Sequence, residues 1–156
     1  MNKEGYNEYH NAGSVRDYFL KSSYGMFRPT FNVMAPVTLS KTKAYYGGRS
    51  DTDRNFNGTV QAVREALQLL DWNAIDFSLY DNDGNGVVDF VSVIFAGVGS
   101  DGSGIVESIW PHKGSVGNMM VGGGLVVESP FTIFPVLIGE MYETFHCYYW
   151  RGWLYR

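Results

Sequence analysis

Cysteine is almost missing from this chain. Cys147 stands alone among 156 residues, so no intrachain disulfide can form and cysteine usage says little about redox compartment. Histidine is scarce too: His10, His112 and His146 are the only imidazoles, which leaves few candidates for a nitrogen-ligated metal. No apolar run approaches the roughly 20 residues that a membrane-spanning helix needs. The polar opening MNKEGYNEYH does not have the layout of a signal peptide. If the protein is secreted, its leader is expected to lie outside this sequence. Charged residues make up only 18%, and the Lys and Arg are scattered, which argues against a nucleic-acid surface.

Apolar residues are plentiful. At 45% hydrophobic with 19 glycines, the composition is that of a loop-rich globular chain, of a length that suits one domain with a real core. The formal net charge of −4 owes part of its sign to one stretch, Asp81-Asn82-Asp83-Gly84-Asn85-Gly86-Val87-Val88-Asp89. Oxygen-bearing side chains occupy its first, third and fifth positions, a glycine the sixth, and a carboxylate the ninth. Val87 would add a backbone carbonyl at the seventh. This is the front of an EF-hand-type calcium loop, in which alternating oxygens surround a hard cation and the glycine permits the tight turn. The twelfth position is Ser92 rather than glutamate. The sequel is also rich in β-branched and aromatic residues, so the loop is expected to feed a buried strand over Val87–Ala96 and not a helix. The same Asn, Asp and Gly residues also make ordinary turns without an ion.

Elsewhere the spacing predicts a short helix capped by Ser14, with Asp17 three residues on, lined by Val15, Tyr18, Phe19 and Ser22 and ended near Gly25. Phe27 to Leu39 reads as a bent strand or strand pair broken at Pro36, and Lys41 to Asn57 as a polar loop. A second helix, capped by Thr59, carries Val60, Val63, Leu67 and Leu70 at helical spacing and supports the core. Gly97-Val98-Gly99-Ser100-Asp101-Gly102 matches the dinucleotide fingerprint G-x-G-x-x-G. No long helix follows to hold a pyrophosphate, however, and no acidic residue stands about 20 positions further on. It reads as a flexible glycine loop. Gly114 to Gly124 is another, followed by a short strand at Leu125–Val127 and an apolar run from Phe131 to Leu137.

Tyr142-Glu143-Thr144-Phe145-His146 is H-E-x-x-H with its first histidine replaced by tyrosine. In the intact motif two imidazoles four apart share one helix face and bind zinc, while the glutamate activates a bound water. Taken alone, Y-E-x-x-H arises readily by chance.

Other motifs agree with it in order along the chain. Gly13-Ser14-Val15-Arg16-Asp17-Tyr18-Phe19, Ser23-Tyr24-Gly25-Met26-Phe27, Pro36-Val37-Thr38-Leu39, Tyr45-Tyr46-Gly47, Tyr80 to Asp89 and Ile109-Trp110-Pro111-His112 together resemble secreted zinc metallopeptidases of the immune inhibitor A type. The resemblance runs over roughly residues 5 to 146. It implies a G-x-x-x-H-E-x-x-H helix beginning near Gly139, with Glu143 as general base and His146 as zinc ligand. Tyr142 stands where the first zinc histidine belongs. Tyr149 and Gly152 occupy the positions of the family's following glycine and acidic third ligand. His112 is expected to be structural.

The expected fold is therefore α+β: a zincin-like metallopeptidase N-terminal subdomain, with a twisted mixed sheet, a backing helix near Thr59–Leu70 and an active-site helix bearing Glu143 and His146. The whole chain, 1–156, would be a single incomplete domain ending in an atypical aromatic tail at 147–156. Truncation or a shifted frame would each produce such a tail, and its rings are expected to be partly exposed or to drive self-association. Calcium at Asp81, Asp83, Asn85, Val87 and Asp89 is the expected ion, and zinc at Tyr142 and His146 the ion the family implies. A protein or peptide substrate and an extracellular location follow from the resemblance. Two functions stand side by side: an inactive copy of a zinc endopeptidase domain, or a calcium-stabilised structural or binding module.

Overall fold

A computed structural model describes residues 1–5, 7, 13–48, 57–105, 107–122, 126–127, 130–136 and 145–151. The fold is a small α+β unit built on a mixed sheet. In chain order the elements are α1 (Val15–Ser22), β1 (Thr30–Val33), α2 (Lys43–Gly47), α3 (Asn57–Gln68), a 3-10 turn (Phe77–Tyr80), β2 (Val91–Ala96), α4 (Ser100–Ser103), β3 (His112–Ser115), β4 (Met119–Met120), β5 (Val126–Val127), β6 (Pro130–Val136) and β7 (Phe145–Arg151).

The main sheet runs β1-β7-β2-β6-β3, while β4 and β5 form a separate pair. Parallel pairing joins β2 to β6, with Val91 opposite Phe131, and every other contact in the main sheet is antiparallel. All six residues of β2 are buried, as a central strand covered on both faces requires. Alternation then sorts its side chains. Val91, Val93 and Phe95 join the main core with Ala62, Val63, Ala66 and Leu67 of α3 and with Phe131 and Ile133 of β6. Ser92 and Thr132 stand opposite each other and share a hydrogen bond of 2.8 Å between hydroxyls. Each hydroxyl thereby supplies the partner the other needs inside the sheet.

The expected capping of α1 is present. Ser14 accepts from the Asp17 amide while Asp17 accepts from the Ser14 amide, the reciprocal bonding of a capping box. The C-terminal stop differs in detail. Gly25 N–H reaches back to Leu20 O and Tyr24 N–H to Lys21 O, and the left-handed positions are Gly25 (φ 83°), as expected, together with the preceding Tyr24 (φ 54°). The expected apolar side of α1 is not a buried one. Val15 and Tyr18 are exposed, and Asp17 is the helix residue that is buried, because its carboxylate also binds the Gly5 amide.

Several boundaries move. The Val87–Ala96 strand begins only at Val91, since the Asp89 N–H is taken by Tyr80 O. Only Thr30–Val33 of the 27–39 stretch is strand. Part of the expected polar loop at 41–57 is α2, started by the Thr42 side chain accepting from the Tyr45 amide. The glycine loop at 97–102 contains the short α4. Pro135 does not end β6. It lies past Ile133, where pairing with β3 stops, so no ladder donor is missed on that side.

The largest difference concerns the expected active-site helix. From Phe145 the chain is strand β7, lying between β1 and β2 with His146 opposite Ile94. The run Phe145-His146-Cys147-Tyr148-Tyr149-Trp150 is mostly aromatic, which favours an extended ladder over helix. A central gap beside the wholly buried β2 offers it two partners at once.

Candidate functional site

The acidic loop lies on the surface immediately before β2. Asp76 starts the 3-10 turn by accepting from the Ser78 amide, and Tyr80, buried in the core, anchors the entry to the loop. From there the chain bonds to itself. The two carboxylate oxygens of Asp81 accept from the amides of Asn85 (3.0 Å) and Gly86 (2.8 Å). Asp83 accepts from the Asn85 amide and side chain, and the Asn85 side-chain oxygen accepts from the Val87 amide. Asp89 reaches back to the amide and the side chain of Asn82. Gly84 (φ 72°) and Gly86 (φ 81°) supply the left-handed positions that curl the loop. Asn82, Asp83, Gly84, Asn85 and Gly86 are exposed.

Asp81, Asp83, Asn85, Val87 and Asp89 are thus drawn into one short loop. Ser92, the twelfth position, is not part of it, since its hydroxyl is committed to Thr132 within the sheet. Asp89 also lines an apolar pocket of about 290 Å³ walled by Phe19, Phe27, Phe31 and Phe90. Sequence reading did not anticipate that pocket, because its rings come from α1, the following turn, β1 and the loop exit.

Tyr142 and Glu143 lie outside the described residues, as does His10. His146 is placed in β7, and the family's helix-borne pair needs both members on one helix turn. Among the described residues, those of the acidic loop included, no three His, Cys, Asp or Glu side chains form a group that could hold a metal ion. The described residues do not by themselves supply the ligand set of a catalytic zinc. His112 has a structural setting: Nδ1 sits 2.7 Å from Trp110 O and the ring packs edge-on against Phe131.

A second polar feature had no clear signal in the sequence. The Tyr46 hydroxyl donates to Glu65, whose other oxygen accepts from the Ser40 amide at 2.6 Å. Burial raises the Tyr46 pKa, and the bond to Glu65 raises it further. For Glu65, burial pushes upward, but the bonds from Tyr46 and Ser40 outweigh it and leave the carboxyl below its ordinary range.

Comparison with known proteins gives three findings. The family description "Immune inhibitor A peptidase M6, catalytic domain" matches residues 1–132. The pre-pro-metalloprotease PrtV of Vibrio cholerae serotype O1, strain M66-2, is 30% identical over 128 residues, covering 71% of this chain and 14% of the relative. The protein of the same name from strain ATCC 39315 / El Tor Inaba N16961 matches to the same extent. The chain spans 14% of the length of these curated relatives. No solved structure matches. The family match takes in the acidic loop and β2 and stops before Tyr142.

Proposed function

The chain belongs to the immune inhibitor A peptidase M6 family, and on that premise we propose that it is a calcium-stabilised piece of a zincin-type metalloendopeptidase domain without peptidase activity of its own. The observation that carries the reading is Tyr142 in the place of the first zinc histidine. A neutral phenol, with an ordinary pKa near ~10, is a poor substitute for imidazole at neutral pH. Gly152 stands where the family's acidic third ligand belongs. With His146 as the remaining ligand of that motif, zinc binds weakly and Glu143 has no activated water to generate. On this reading the fold outlasts the chemistry.

Calcium is the working ion of the proposal. Asp81, Asp83 and Asn85, the Val87 carbonyl and Asp89 give it oxygen ligands at the spacing a hard cation takes. Each carboxylate oxygen bonded to a loop amide keeps a second lone pair for an ion. Peptide substrates and an extracellular location fit the family and the pre-pro-metalloprotease names of the relatives. No described helix is long and apolar enough to cross a membrane.

Casein hydrolysis with and without a zinc chelator, alongside zinc content of the purified protein, tests the reading. The expected result is substoichiometric zinc and no chelator-sensitive cleavage. Chelator-sensitive hydrolysis that disappears in Glu143→Ala would show a living site and overturn the proposal.

A further inference from the structure

Between α2 and α3 lies a cleft of about 420 Å³ whose floor is the Tyr46–Glu65 pair. One wall is the polar face of α3, where Arg64 and Glu65 lie three and four residues from both Gln61 and Gln68. The other wall is the segment from Ser40 to Tyr46. Two features set the chemistry of this cleft.

Among the described residues its one carboxylate, Glu65, already accepts hydrogen bonds on both oxygens, one from the Ser40 amide and one from the Tyr46 hydroxyl. What the walls still offer is mainly donors. Arg64 uses one nitrogen on Val116 O, which fixes the guanidinium and leaves further N–H groups of its five. Lys41 stands close enough to Glu65 to help keep it ionised, so among the described residues the cleft carries two cations against one anion, on a chain of formal net charge −4. The remaining groups are amphoteric or aromatic. Gln61 and Gln68 can each donate to a carbonyl and accept from an amide, and Tyr45 is 57% exposed.

We propose that this cleft binds an acidic peptide segment, with Arg64 and Lys41 taking its carboxylates, Gln61 and Gln68 its backbone amides, and Tyr45 packing against it. A small inorganic anion would use the cations alone and leave the amide and ring surfaces idle. A basic peptide would meet two like charges and a carboxylate whose oxygens both already accept hydrogen bonds. The cleft shares no lining residue with the acidic loop, so it does not depend on calcium binding.

The test is fluorescence polarisation of labelled hexaglutamate titrated with the full chain, with hexalysine as the control. Saturable one-to-one binding of hexaglutamate that weakens as salt rises is expected, since exposed charge pairs are screened. Lys41→Gln and Arg64→Gln should each lower affinity by about 1.4- to fivefold, the range for a single exposed ion pair. Glu65→Gln should raise it, because the repelling charge is gone while both cations remain. Lys41→Gln keeps the test valid if Arg64→Gln fails to fold through loss of the Val116 bond. Equal binding of hexalysine, indifference to both cation substitutions, or displacement by sulfate at concentrations equal to hexaglutamate would each overturn the proposal.

Discussion

Two neighbouring stretches are built on opposite principles. Asp81 to Asp89 holds its shape with hydrogen bonds between residues two to seven positions apart, and five consecutive residues at its tip face water. Val91 to Ala96, two residues later, is wholly buried and is held by partners about 40 and 55 positions further along the chain. The loop is local, polar and cheap to rearrange, whereas the strand is non-local and apolar, and everything else packs on it. A functional element can therefore change or decay in the loop while the strand keeps the fold, which suits a domain proposed to have outlived its chemistry.

Removing a ring from the strand should break the molecule on the side that matters for stability. Phe95 is 1% exposed and sits in the core shared with α3. Phe95→Ala should cost about 3–5 kcal/mol, the range for emptying a buried aromatic site, as measured by urea denaturation. Where the variant still folds, its melting temperature should keep rising with calcium, because the loop makes its own bonds. A loss under about 1 kcal/mol would mean that β2 is not the centre of the core.

The complementary change is in the loop. An ion that binds only the folded state stabilises it by about 2.7 kcal/mol at a hundredfold excess over its dissociation constant. Calcium should therefore raise the melting temperature of the parent chain. Asp83→Ala, at an exposed position, should abolish that rise and leave the calcium-free melt close to the parent's. Superimposable melts in calcium and in chelator would remove the ion from the proposal and leave an ordinary Asn/Asp/Gly turn.

The same contrast explains what was legible in the sequence. The Ser14–Asp17 capping box, the α3 stripe and the acidic loop are set by residues within a few positions of each other, and each is found close to where spacing predicts it. Strand β7 is not local. Tyr-x-x-x-His read by itself suggests a helix turn, but the run from Phe145 has two open partners in β1 and β2, and pairing decides its conformation. The start of β2 was missed for a similar reason: Val87 and Val88 have strand-like side chains, yet the Asp89 amide is claimed by Tyr80. The apolar pocket and the Tyr46–Glu65 cleft draw their walls from separate segments, so no single window of sequence could display either.

The tie between Tyr46 and Glu65 falls between the two principles, being polar like the loop but joining residues 19 apart. It should give the smallest effect, and pH should reveal its sign. The folded-state pKa of Glu65 is depressed, the bonds from Tyr46 and Ser40 outweighing burial. Its contribution is therefore complete above the unfolded value of about 4.3 and is lost as pH falls through the lower folded value. The Tyr46 pKa is raised, by burial first and by Glu65 second, so its contribution is complete below about 10 and lost as pH climbs through the folded value. Tyr46→Phe should cost about 1 kcal/mol at pH 7, the usual net worth of one hydrogen bond. The stability difference between parent and variant should stay level from about pH 5 to 9 and shrink on acidification below about 4. Ser40 still donates to Glu65 in the variant, so a remnant of the acid sensitivity should persist there. A difference that stays unchanged down to pH 3 would show that Tyr46 contributes through packing of its ring and not through its bond to an ionised Glu65.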